Sequence, residues 1–143
     1  MVTLSIRRVT FAAAAALAGC AMLPDWMPGS GAVRVSLSGA EQVPPVETAA
    51  SGSGTFRVAS DGAIRGSVTT TGMPGTLAHI HQAPRGRNGP PIIPLAKRGD
   101  TYSVPRGRKL TEAQMKAFRE GGLYVNIRSS RHKGGELRAQ LQL

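Results

Sequence analysis

Two histidines separated by one residue, His79-Ile80-His81, are the sharpest chemical feature of this sequence. On a β-strand, side chains two positions apart leave from the same face, about 6–7 Å apart along the chain. With Ile80 turned to a core, both imidazoles face outward together and can converge on one metal ion. Imidazole suits copper, zinc, iron or nickel. Two ligands alone make a weak site, and His132 is the one other histidine that could supply a third. Arg128 works against the site. By alternation it shares an outward face with Tyr124 and Asn126, and a guanidinium cannot lose its proton to become a ligand. Beside His79 and His81 it would repel a cation, which Glu136 or Glu41 would have to offset. The bland alternative is that these are surface histidines that bind nothing.

The elements that must position these residues are short strands. Hydrophobic alternation of period two marks Ala32–Ser38, Thr55–Ser60, Ile64–Thr70, Leu77–Gln82, Leu123–Arg128 and Glu136–Leu143. Ser60-Asp61-Gly62 is a turn signal, so residues 54–70 read as a hairpin. Pro91–Leu95 is a short apolar run whose Pro94 suits an edge strand. One helix interrupts the pattern. Thr111 and Gln114 form a capping box, Leu110 and Met115 a hydrophobic staple, and Gly121-Gly122 a stop. Glu136 and Arg138 share a face and are expected to pair across it or to order the loop that carries His132. The expected fold is all-β, a Greek-key β-sandwich with one short covering helix.

Composition bounds the reading. The 143 residues suit one domain, and two large domains are excluded. Gly 18 and Pro 10 are too many for a helical bundle. A single Cys excludes a disulfide framework and a multi-thiolate zinc site. No Gly-x-Ser-x-Gly or phosphate-binding glycine fingerprint is present.

The first residues read as an address. Arg7 and Arg8 precede an uncharged stretch, Val9–Ala18, too short to span a bilayer. The run ends Leu17-Ala18-Gly19-Cys20 and resembles the bacterial lipobox. That resemblance implies cleavage before Cys20 and lipidation of its thiol, which gives stable anchoring when several chains are attached. Residues 1–19 are thus expected to be a lipoprotein signal peptide, 20–31 a lipidated cysteine and flexible tether, and 32–143 the folded domain. Ala21, where an Asp would retain such a protein, implies the outer membrane, facing the periplasm.

From Leu37 onward the chain resembles the CHRD (chordin-type) domain family. Four blocks carry the resemblance in order. They are LSGAEQVPP at 37–45, AHIH at 78–81 with a loop ending Asn88-Gly89-Pro90, the short helix region 110–121, and LYVNIRSSRHKGGELRAQL at 123–141. The family usually has His where this chain has Arg128. The resemblance implies a β-sandwich similar to copper/zinc superoxide dismutase, whose copper ligands share the H-x-H spacing. It implies little about function.

A basic stretch completes the inventory. Residues 85–119 hold Arg85, Arg87, Arg106, Arg108 and Lys109 among nine cations, against Asp100 and Glu112. With Arg128 these could bind anionic lipid headgroups or cell-wall polymers. Nucleic acid is not expected, because 4% aromatic content leaves few stacking platforms. Three functions stand at this point. The first is a non-enzymatic, lipid-anchored envelope protein holding copper or zinc through His79, His81 and His132. The second is an interaction module using a basic face on anionic envelope components. The third is a dismutase-like enzyme, for which the chain is short of His and Asp.

Overall fold

The structure, a computed structural model, describes residues 31–143. The signal peptide, Cys20 and all but the last residue of the expected tether lie outside these residues. Among the described residues nine strands form two antiparallel sheets. They are β1 (Ala32–Leu37), β2 (Ser51–Val58), β3 (Ile64–Thr71), β4 (Gly75–Gln82), β5 (Pro91–Pro94), β6 (Ala96–Arg98), β7 (Thr101–Ser103), β8 (Leu123–Ser129) and β9 (Leu137–Leu141). One sheet has the order β1-β2-β3-β7-β6 and the other β5-β4-β8-β9. The chain crosses between sheets after β3, β5 and β7, so the two layers are interlocked rather than sequential. All strands pair within residues 32–141, and one continuous core fills the space between the sheets, so this stretch carries its own fold.

The alternation read from sequence places the core. Val33, Val35 and Leu37 of β1, Phe56 of β2, Ile64 and Val68 of β3 and Ile80 of β4 are buried. Leu123, Val125 and Ile127 of β8 meet Leu137, Ala139 and Leu141 of β9 on the inner face. Each large side chain so buried contributes about 1.5–3 kcal/mol. The edge expected at Pro91–Leu95 holds over Pro91–Pro94, since β5 pairs with β4 alone. Strands β6 and β7 were not foreseen. At three residues each they are too short to show a period, and only pairing defines them, β7 with β3 and β6 with β7.

The helix α1 (Glu112–Arg119) has both halves of its capping box. Gln114 N–H donates to Thr111 Oγ1 at 3.2 Å, and Thr111 N–H donates to Gln114 Oε1 at 3.0 Å. Phe118 is buried and Met115 packs against the core, so the helix closes one end of the sandwich.

Candidate functional site

Strand β4 delivers His79 and His81 to the outer face of the four-stranded sheet, as alternation requires. His79 lies opposite Asn126 of β8, and His81 opposite Tyr124. Their ring centroids are 5.9 Å apart, with the planes at 80°. Much of this outer face is closed to water. Tyr124, Asn126, Arg138 and Gln140 are all buried, and His81 is 5% exposed. Two loops, 42–46 and 84–90, lie over the sheet and make a second, polar core.

Arg138 and Tyr124 organise that polar core. Arg138 Nη1 donates to the Arg87 carbonyl at 2.8 Å, and Nη2 donates to the Pro84 carbonyl at 3.3 Å and to Gln140 Oε1 at 3.1 Å. Its guanidinium carbon sits 3.6 Å from the Tyr124 ring centroid. The imidazole of His81 stacks on that ring, 4.9 Å away and 15° from parallel. Gly89 N–H donates to the Tyr124 hydroxyl at 3.0 Å. Gln140 Nε2 donates to the carbonyls of Ala83 and Gly121 at 2.8 and 2.7 Å. Of the two expectations for Glu136 and Arg138, the pair does not form, whereas Glu136 does hold the loop that carries His132. Glu136 precedes β9 and accepts from Ser129 Oγ at 3.2 Å, whereas Arg138 turns to the 84–90 loop.

His81 Nδ1 lies 2.8 Å from the Gly89 carbonyl, an acceptor, so Nδ1 carries the proton and Nε2 a lone pair. Nε2 of His81 and Nδ1 of His79 are buried without hydrogen-bond partners. Arg128, whose Nε is also buried and unpartnered, stands close enough for its charge to act on both rings. Burial and then the Arg128 charge hold the His79 pKa below the ordinary imidazole value. Burial lowers that of His81 too. The Gly89 hydrogen bond opposes this, while His79, Arg128 and Arg138 add to it.

A pH dependence follows. In the unfolded chain His81 takes up a proton near pH 6.5, but in the folded chain only at lower pH. Between those values the unfolded state binds more protons, so stability falls as pH drops below about 6.5, by up to about 1.4 kcal/mol per unit for one such group. Urea midpoints measured across that window should fall with pH in the native chain and less steeply in His81→Gln.

His132 does not complete a metal centre. Among the described residues no three His, Cys, Asp or Glu side chains gather as a group that could hold a metal ion. His132 borders the same notch as His81, but its Nε2 faces Glu136 Oε1 at 3.7 Å. The donor set on offer is therefore two imidazoles with a guanidinium beside them.

The basic stretch does not form one face. Arg85 is tied to Glu41 and to Gln142 Oε1. Arg87 sits in the covering loop, where its carbonyl serves Arg138. Arg128 enters the His81 notch. Arg106, Arg108 and Lys109 lie elsewhere, at one end of the five-stranded sheet with Arg65, around a cavity of about 620 Å³. Strand pairing fixes this grouping: Ala63 bridges Lys109, and Ile64 N–H donates to the Arg108 carbonyl at 3.1 Å. Arg65 is a participant that the sequence reading missed. It lies outside the 85–119 run, and only the β3 contact with residues 108–109 brings it there. Lys109 is paired with Asp61 at 3.2 Å, while Arg65, Arg106 and Arg108 are exposed.

A family model, that of the CHRD domain, matches residues 33–141, from β1 to the end of β9. The chain belongs to the CHRD domain family. No curated protein and no solved structure matches it. The CHRD match covers both layers of the sandwich, the H-x-H strand and the loops over it, so the polar core lies wholly inside the family domain. Among the described residues of this CHRD domain no helix is long and apolar enough to cross a membrane.

Proposed function

We propose that this CHRD protein is a non-enzymatic interaction module, anchored to the cell envelope through a lipidated Cys20 and laid on an anionic surface by its basic end. The supporting observation is where the domain begins. Ala32 pairs with Arg57, and Arg57 with Arg65, so β1 starts at the end that carries Arg65, Arg106, Arg108 and Lys109. A chain tethered at Cys20 reaches the domain at that end and holds these cations near the bilayer. Each cation close to an anionic leaflet contributes about 1 kcal/mol, and the attraction fades within a Debye length. The test is vesicle co-sedimentation of residues 31–143. Binding to phosphatidylglycerol vesicles, absence of binding to phosphatidylcholine, and loss in high salt are expected. Equal binding to both would sink the reading.

A second reading rests on the unpartnered imidazole nitrogens. His81 Nδ1–H held by a carbonyl, with Nε2 left free, is the arrangement that orients a metal-ligating histidine. Copper or zinc would then bind through His79 and His81 alone, against the Arg128 charge. Calorimetry with Cu²⁺ and Zn²⁺ decides it. One-to-one micromolar binding that vanishes in His79→Ala/His81→Ala supports the site, and equal weak binding in both proteins removes it.

A further inference from the structure

A notch of about 410 Å³ opens between the outer face of the four-stranded sheet and the loop at residues 42–46. Its size is that of a small-molecule site. Most of its polar groups already have partners. Gln42 Nε2 donates to Asn126 Oδ1 at 2.7 Å, and Asn126 Nδ2 donates to the Gly134 carbonyl at 3.0 Å. The Tyr124 hydroxyl is engaged with Gly89. Gly135 keeps this pairing compact. Its φ is +137°, and an added Cβ there would collide with Asn126 Oδ1 and with Gln42 Nε2.

Two groups bordering the notch remain unmatched. Arg128 offers a buried, unpartnered Nε–H, and no Asp or Glu borders the notch to neutralise its charge. His81 offers a buried Nε2 lone pair. A buried polar group left without a partner costs about 1–3 kcal/mol. A fold that carries a cationic donor and a neutral acceptor in one cavity is complementary to a ligand carrying the reverse. An anionic oxygen would face Arg128 and an O–H would face His81 Nε2. Val43, Pro44, Pro45 and Val46 supply apolar contact for a carbon skeleton between them. The register sets the two apart. Arg128 lies two residues along β8 from the Asn126 that faces His79, and His81 lies two residues along β4 in the opposite direction.

We infer that this notch binds a hydroxylated carboxylate of about sugar size, with its carboxylate on Arg128 and a hydroxyl donating to His81. The site is independent of the membrane-facing end and needs no metal.

The test is calorimetry of residues 31–143 with glucuronate as the probe, in EDTA, beside glucose and acetate. One-to-one binding of glucuronate is expected, with glucose and acetate each weaker by at least about tenfold. Arg128→Gln should lose at least about tenfold and Arg128→Lys less, since Lys keeps the charge without the planar fork. Among the described residues the Arg128 side chain forms no hydrogen bond or ion pair, so these variants should keep the fold, and thermal melts check this. Four results would overturn the inference. They are glucose binding as tightly as glucuronate, unchanged affinity in Arg128→Gln, binding that EDTA abolishes, and no heat at about 10 mM probe.

Discussion

Arg138→Ala is expected to destabilise the domain by about 3 kcal/mol or more, the largest single-residue effect outside the apolar core. Arg138 is 1% exposed and, among the described residues, forms no ion pair, although the charge of Glu41 reaches it. Its charge is compensated by the carbonyls of Arg87 and Pro84, by Gln140 Oε1 and by the face of Tyr124. Removing the side chain leaves those oxygens without their donor and opens the Tyr124 face. Hydrogen bonds to a charged group contribute about 1.5–3 kcal/mol, and a desolvated cation–π contact about 2. Relaxation of the 84–90 loop toward water returns part of this sum. For a domain of this size the loss lowers the melting temperature by roughly 10–20 °C. Arg138→Lys should recover less than half, because one ammonium cannot serve acceptors on several sides as a planar fork does. Urea denaturation of both variants checks this. A loss under about 1 kcal/mol in Arg138→Ala would mean that the 84–90 loop is held by Asn88 and Gly89 instead.

The second large effect is on membrane binding. The triple variant Arg65→Glu/Arg106→Glu/Arg108→Glu is expected to weaken binding to phosphatidylglycerol vesicles by more than about a hundredfold. Removing three cations at about 1 kcal/mol each gives roughly 150-fold, and reversal adds repulsion. All three side chains are exposed, so the fold should survive. The informative control carries the same charge change elsewhere. Lys97→Glu/Arg98→Glu/Lys133→Glu alters exposed cations on β6 and on the β8–β9 loop. Beyond a Debye length of about 8–10 Å these contribute little, so the control should lose only a few-fold. Equal losses in the two variants would mean that net charge governs binding, and that no particular end faces the bilayer.

Much of the scaffold was legible in the residues. Period-two alternation located six of the strands, and it put His79 and His81 on one face with Tyr124, Asn126 and Arg128. The Thr111–Gln114 box located the helix start to the residue. These are short-range features. Strand pleat and helix-end hydrogen bonding are settled by neighbours a few positions apart, so local sequence suffices. What local sequence lacked was any statement of what covers each face. The outer face of the four-stranded sheet reads as solvent-exposed from its Tyr, Asn, Arg and Gln residues. Most of it is buried instead, because partners far away in sequence come down on it.

Gln42 reaches Asn126 across 84 positions, and Arg138 reaches Arg87 across 51. The turn between β8 and β9 took His132 to Glu136, four residues on, instead of to the H-x-H pair, while long-range folding divided the basic stretch and recruited Arg65 to its far end. Six strands, the helix cap and the direction of the histidines are legible in the residues alone, since each follows from backbone geometry over a few positions. Which polar groups meet, and which buried ones such as His79 Nδ1, His81 Nε2 and Arg128 Nε stay unmatched, came only with the folded chain, since that depends on which loops close over the sheet.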